Sequence, residues 1–481
     1  MNYIEVSFLG AIFKDRAYFY NITFKSMIDF SYAIFENEVH FCNTYFESVV
    51  HFSFTKFKGV CDFSNTKFLA TQKKEERNRI CFDDTEFEDI VHFYSAKFES
   101  KVLFCKSVFK SKVNFNGAEF STSHYDDAEI NNFDNVTFES DAWFNDIIFN
   151  SSVLFSKCEY KGNIYMRNIT SKQQLYFYES LFLSNVYFNN SHFKDYVNFC
   201  ECEFEKTACF YGVKFDKTPN FSQAIFKGNL NVVNTNLNFT FDDLQERIKQ
   251  EYENFNKDIK EKENKKPLDK FANDFRDSFR TFKNALIKDN NLLDASNFHK
   301  YELYCKEIEL KNKKGKTFKD VVDRWQLLFY RKLCDHHTNL ILNLKWFIVI
   351  VGFFTSILFG LRYGDGNLMQ FFNKDSDLLK MLKNILNIKA LNDSNATYLI
   401  LLYSFIGLFF VRTFFIFYYL VIFILMLAIS PYNLFTMINF AIRHETNSFL
   451  ENIIIIIYTL SIVLIIFSLQ KTARKNSIVP S

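Results

Sequence analysis

Along residues 30–57, single large apolar positions alternate with short polar runs. Phe30, Phe35, Phe41, Phe46, Phe52 and Phe57 fall at steps of five, six, five, six and five. The same beat starts at Phe8 with Phe13, Phe19 and Phe24, and resumes at Phe82 through Phe120, Phe133 through Tyr160 and Phe177 through Phe226. Between Tyr160 and Phe177 the register holds, with Met166 and Ser171 on the beat. It slips at 69–81 and 121–132, where counting from the flanking Phe gives about three and two extra residues. Two surface loops on an unbroken repeat are therefore expected. A self-similar 11-residue unit kept for over 200 residues signals a solenoid.

A second position repeats with the first. Two residues before each five-step Phe stands a small residue, as at Ala33, Thr44, Thr55, Thr66, Thr85 and Ser107; two before each six-step Phe stands mostly Val, as at Val39, Val50, Val91 and Val102. On a helix, beats five apart sit about 140° round the axis and positions two apart about 200° apart, so no single apolar stripe forms. In extended chain, positions two apart share a face. The small-x-Phe triplet then points inward as a unit and the chain turns a corner after it. Phe, Val, Thr and Asn suit strand and turn.

These residues resemble the pentapeptide-repeat family, whose unit is small-polar-[Leu/Phe]-x-x. The resemblance covers about residues 6–237, and both inward positions match over nearly forty units. It implies an all-β right-handed quadrilateral β-helix, four units per coil, with the Phe stacked inside. Alternating five- and six-residue units give about 22 residues per coil, and the extra residue is expected as a bulge at two opposite corners. About ten coils at strand spacing make a rod roughly 45–50 Å long. The Phe beat is then a statement about stability: burying each ring contributes on the order of 1.5–3 kcal/mol.

Beyond residue 240 the pattern changes. Residues 242–264 read as a solvated helix. After Pro267, Phe271, Phe275, Phe279 and Phe282 recur at four, four and three, an amphipathic helix. Asp289-Asn290-Asn291 reads as a turn, 292–310 as a second helix and 317–335 as a third. The stretch FRTFKNAL…NNLLDASNFHKYEL is similar to a helix-turn-helix found between repeats and membrane segments in bacterial pentapeptide-repeat membrane proteins, and the ending SLQKTARKNSIVPS resembles epsilonproteobacterial members of that group. Three domains are expected: a β-helix at 1–240, a charged α-helical neck at 241–335 that packs on the open end of the solenoid, and an α-helical transmembrane domain at 336–481.

In that last region four spans are expected, at about 341–361, 397–411, 413–430 and 452–469, with Lys345 snorkelling and Arg412 in a cytoplasmic turn. Three spans is the alternative. Lys471, Arg474 and Lys475 follow the final span and place the C-terminus in the cytoplasm. Residues 374–390 read as amphipathic and interfacial. The first residues lack the basic-then-apolar layout of a signal peptide, so the expected setting is a bacterial inner membrane with the β-helix in the cytoplasm, where cysteines stay reduced.

Composition and charge narrow the function. The chain has 63 Phe but 12 Gly and 4 Pro among 481 residues, far below the usual ~7% Gly and ~5% Pro, which disfavours a loop-rich enzyme. Net charge is +2, and residues 1–240 carry 24 Lys and Arg against 30 Asp and Glu. That is weak support for the acidic face by which some members of the family mimic DNA and bind gyrase. Candidate chemistry is sparse. Cys200, Cys202 and Cys209 with His192 suggest a metal, but Cys200 and Cys202 alternate in facing; no metal or cofactor is expected. His40, His51 and His92 each precede a central Phe and point outward. Asp83-Asp84 and Asp126-Asp127 fall in or beside the loops, and His336-His337 precede the first span. LRYGDG at 361–366 echoes the end of a potassium filter without its Thr-Val-Gly. Arg412 is the one charge at membrane depth, a functional position by default.

The sequence is thus read as a non-enzymatic, membrane-anchored scaffold. Its partners are a lipid bilayer and either an unidentified protein or a second copy, without nucleic acid. A channel or transport module with a cytoplasmic repeat domain is the alternative, and a gyrase-binding DNA mimic the second alternative.

Overall fold

The computed structural model describes residues 6–69, 79–121, 130–257, 259–260, 265–363 and 449–473. Two-residue strands, with two of three, stack from coil to coil into four parallel sheets, and each strand pairs with the one four strands later until the last coil, where the first sheet continues only as the bridge Asn198↔Asn220. The sheets begin with Val6–Ser7, Ile12–Phe13, Ala17–Tyr18 and Thr23–Phe24 and are here the first to the fourth. A regular coil takes 22 residues, the separation at which Lys58 Nζ reaches Glu36 on the coil before. The strands keep the same register, with Ile34 beside Lys56 and Phe35 beside Phe57. This is the expected four-sided β-helix.

The inward columns of the first two sheets are unbroken aromatic stacks, the second passing through Tyr160, whereas Met166 and Ser171 interrupt those of the third and fourth. In the first sheet's column, Phe8, Phe30, Phe52, Phe82 and Phe104 stack at 4.9, 5.2, 4.9 and 4.6 Å between ring centroids, and the column runs on to Phe221. Met166 and Ser171 are buried in the beat positions that the sequence assigned them.

The four corners are of two kinds. On the five-residue steps the chain makes a hydrogen-bonded turn, such as Ala33 N donating to Phe30 O at 3.0 Å. The residue just before the small position there has positive φ, as a type II turn requires. The position recurs once in every two units, at Asn21, Tyr32, Asn43, Phe54 and Asn65. On the six-residue steps the extra residue lies in an open bend, such as Glu36-Asn37-Glu38. It sits between strands, not inside one as a bulge, because Val39↔Cys61 and His40↔Asp62 pair one to one.

The two slips are longer than counted. Across the first, Phe57 pairs with Phe87, and across the second, Phe109 pairs with Phe138. Beyond one regular coil, those pairings leave eight and seven extra positions, not three and two. The sequence count subtracted a two-unit repeat from each gap, whereas each whole insertion enters one corner.

Three helices follow in the same compact unit, which extends to Arg324. Helix α1 (Phe241–Asn256) opens on a capping box between Thr240 and Asp243. Helices α2 (Leu268–Lys288) and α3 (Leu292–Asn312) form a hairpin. Asn290 sits at φ 55° and donates to Ile287 O, and Asn291 donates to Leu286 O. This is a Schellman ending with Asn where Gly is commoner.

The hairpin closes the solenoid. Phe282 meets Phe221 edge-on at 4.8 Å, ending the first column. Ser278 Oγ donates to Phe221 O at 2.8 Å, and Tyr301 Oη lies 3.0 Å from both Leu237 O and Phe239 O. Carbonyls at the end of the solenoid are thereby satisfied. From α1, Glu251 accepts from Tyr196 Oη at 2.6 Å, and Arg247 lies 3.7 Å over the Tyr196 ring.

Helix α4 (Phe318–Cys334) spans the division between the two compact units, which falls after Arg324. In the second unit, helices α5 (Leu340–Tyr363) and α6 (Phe449–Ala473) pack antiparallel. Asn343 Nδ2 donates to Ser468 Oγ at 2.8 Å, while Phe354 meets Tyr458 three turns on. Leu333, Cys334 and Ile465 form a small core with Trp346 and Phe347. Ile453–Ala473 is the one stretch among the described residues that is long and apolar enough to cross a membrane. The expected spans 397–411 and 413–430, Arg412 and the segment 374–390 lie outside the described residues.

Candidate functional site

The residues that face outward on the four sheets fill slots in each strand and directly after it, and these repeat at coil spacing. What each slot holds decides the chemistry of each face.

The second sheet's face carries alternating acids and bases. Lys58 bonds Glu36 at 2.8 Å, Lys56 bonds Glu86 and Glu88 at 2.9 Å each, and Lys161 lies 3.4 Å from Glu139. Lys110 closes on Glu86. Hydrogen bonds from Lys110 and Lys56 hold the Glu86 carboxyl below its ordinary range, and those to Glu86 and Glu88 push Lys56 up to about 12. Such exposed pairs contribute little to stability, because water screens them and two long side chains must be ordered. They do cancel the charge of the face locally, so the small acidic excess of residues 1–240 is not gathered there.

The third sheet's face holds an aromatic ladder. Trp143 stacks on Tyr165 at 5.8 Å and Tyr165 on Tyr187 at 5.4 Å, with Arg167 within 5.1 Å of both tyrosine rings. Beside it runs an amide ladder in which Asn163 Nδ2 donates to Asp141 and Asn185 Nδ2 to Asn163. The rings cover one another's faces and leave edges outward, which suits ladder stability more than stacking on a flat ligand.

The candidate residues named from sequence are dispersed. Cys202 is buried and its Sγ contacts Phe177 O at 2.9 Å; Cys200 sits on a turn, with its N bonded to Asn198. Cys209 occupies an outward slot of the third sheet, and His192, on the fourth, bonds Asp216 at 2.7 Å. Burial pushes the Cys202 thiol far above its ordinary value. Among the described residues no group of three His, Cys, Asp or Glu is placed to hold a metal. His40 stacks on Tyr18 at 5.5 Å, and His51 and His92 fill outward slots of the first and third sheets. Asp83 accepts from Cys105 N, and Asp84 holds a positive-φ turn position; both are turn residues. His337 Nδ1 lies 3.5 Å from Cys334 Sγ and 3.4 Å from Ser468 and Thr472, inside the second unit. Of LRYGDG, residues 361–363 end α5 and the rest lie outside the described residues, as do Asp126 and Asp127.

Two features went unread in the sequence. The small inward residue is polar for a reason: Thr55 Oγ1 donates to Phe30 O at 2.8 Å and Thr66 Oγ1 to Phe41 O at 2.8 Å, each bonding 25 residues back. The same rung uses Cys158 and Cys202. The positive-φ position was legible where Asn, Asp or Gly stands directly before the small residue, as in Asn43-Thr44 and Asn65-Thr66, but not where Tyr32, Phe54 or Lys157 holds it.

A parallel β-solenoid of four sheets with Phe columns inside is the architecture so defined. The family model described as pentapeptide repeats (nine copies) matches residues 8–55, the first coils of the solenoid. Residues 8–55 thus match pentapeptide repeats, and the four-sheet stacking that they begin continues through the later coils. No curated protein and no solved structure matches it.

Proposed function

We propose that this protein is a non-enzymatic scaffold whose solenoid presents a regular surface to a protein partner or to a second copy, held at a bacterial inner membrane by the C-terminal helices. The observation that carries this reading is the surface itself: four faces whose outward slots repeat from coil to coil, with their charges internally paired on one face and an aromatic ladder on another. The C-terminal stretch Ile453–Ala473 supports the anchor. The antiparallel contact of α5 with α6 puts Lys345, Trp346 and Lys471 at one end of the pair, the arrangement of a membrane interface. Basic residues at that end support a cytoplasmic position for it and for the solenoid. The spans expected at 397–411 and 413–430 complete a multi-pass anchor in this reading.

A photo-crosslinking amino acid placed in turn at residues 58, 187, 172 and 154, one per face, tests it in native membranes. One discrete adduct from one face supports the scaffold. No adduct from any face, together with ion flux in proteoliposomes that Arg412→Ala abolishes, shifts the function to transport.

A further inference from the structure

Helix α4 is amphipathic but its apolar stripe is bare. Phe318, Val322, Trp325 and Phe329 follow one another at four, three and four residues, so they share one face; Phe318 is 84% exposed and Trp325 66%. Monomeric proteins rarely leave such a stripe uncovered. Residues 311–334 carry eight Lys and Arg against two Asp, a charge of +6 in a chain whose total is +2. The helix is firmly built: Thr317 and Asp320 form a capping box, with Thr317 N to Asp320 Oδ2 at 2.8 Å and Asp320 N to Thr317 Oγ1 at 3.2 Å. Its last turn is tied to the start of α5, where Trp346 Nε1 donates to Lys332 O at 2.8 Å. Trp346 and Lys345 mark the level at which α5 turns apolar.

We infer that α4 docks on the membrane surface, its Phe318–Phe329 stripe in the headgroup–acyl boundary and its basic residues on anionic phospholipid headgroups. An exposed aromatic stripe flanked by Lys and Arg, beside an apolar helix, has the composition of an interfacial helix. Basic residues clustered next to a span are drawn to an anionic surface, and each adds to the attraction. A protein groove would fit the stripe, but the +6 charge and the tether to the Trp346 level select the lipid. This inference rests on the membrane-anchored reading.

The test uses the full chain in proteoliposomes of phosphatidylcholine with or without phosphatidylglycerol. Trp143→Phe with Trp346→Phe leaves Trp325 as the sole reporter, and Trp143→Phe with Trp325→Phe leaves Trp346. Lipids brominated near the headgroup are expected to quench Trp325 at least twofold more in anionic than in neutral vesicles, and Lys314→Glu with Lys319→Glu to remove that difference without changing the quenching of Trp346. Quenching of Trp346 with Trp325 in water overturns the α4 assignment and leaves the anchor standing. Quenching of neither overturns both. Equal quenching of Trp325 in neutral vesicles overturns the anionic headgroup, and a lipid-independent blue shift that grows with protein concentration overturns the lipid in favour of a second copy.

Discussion

The solenoid and the hairpin that closes it bury Phe in opposite ways. In the solenoid each ring meets its counterparts one coil above and below, so Phe104 lies between Phe82 at 4.6 Å and Phe133 at 4.7 Å. Any mid-solenoid Phe has nearly the same surroundings, and energy passes only between neighbouring coils. In the hairpin no contact is repeated. Phe282 meets Phe221, Phe226 and Phe298, and Tyr301 reaches the carbonyls of Leu237 and Phe239. The solenoid absorbs both insertions at its corners, since each enters one bend and the strands on either side keep their one-to-one pairing. The hairpin depends on single partners. Periodicity gives tolerance, and closure gives specificity.

The largest expected effect separates the two regions. Phe104→Ala and Phe282→Ala each remove a buried ring and cost about 3–5 kcal/mol. Hydrogen exchange is expected to show protection lost around Phe104 in the adjacent coils only, and around Phe282 across the hairpin and the last coil together. Equal spreading in both variants breaks the distinction.

Next comes the charge network of the hairpin. Burial alone would raise the Glu302 carboxyl, but hydrogen bonds from His299, Lys283 and Arg280 hold it at about 2. A depressed folded pKa stabilises the protein above the unfolded value, and that contribution is lost as pH falls from about 4.3 towards 2. The loss is on the order of 2–3 kcal/mol. Denaturation of the hairpin followed against pH is expected to show it, and Glu302→Gln to flatten the profile. A solenoid transition with the same steep dependence would contradict it.

Thr66→Val tests the buried rung. It removes the hydroxyl on Phe41 O while Thr44 N still donates to that carbonyl, so the cost is about 1 kcal/mol. The same change at Thr44, Thr55 or Thr85 is expected to cost the same, because the rung is repeated; a scatter of several-fold would deny that the coils are equivalent.

The smallest effect has the opposite sign. Lys157 holds positive φ at 55°, its side chain in a surface pair with Glu179 at 3.9 Å and its N donating to Tyr178 O. Lys157→Asn is expected to stabilise by ~0.5–1 kcal/mol, since Asn tolerates the left-handed region. Thermal unfolding measures it.

The coil content was readable because two inward positions two residues apart commit a strand face, and the self-similarity survives even where Met166 and Ser171 replace Phe. The size of the insertions was not, since the stretch of sequence from Phe68 to Phe82 is the same whether one repeat unit or none lies within it. Only the pairing of Phe57 with Phe87 decides. The candidate site was less legible. Cys200, Cys202, Cys209 and His192 are close in sequence, yet a chain that turns a corner every five or six residues sends neighbours to different faces. Partners instead stand 22 residues apart, as Lys58 and Glu36 do, or 25, as Thr66 and Phe41 do.

By itself the sequence determined which side chains are buried in the solenoid, because the inward Phe, Val and small residues are set by local extended geometry. It also determined where helices replace strands, through the loss of the Phe beat in the charged run from residue 242 and the spacing of three and four after Pro267. The tertiary structure alone decided which carbonyl each buried hydroxyl meets, which acids and bases pair across coils, and that Phe282 and Tyr301 close the last coil. Those contacts join positions far apart in the chain, from one coil for Lys58 and Glu36 to nearly three for Tyr301 and Leu237. Within the solenoid their closeness follows from the closing of each coil, and at its end from the docking of the hairpin.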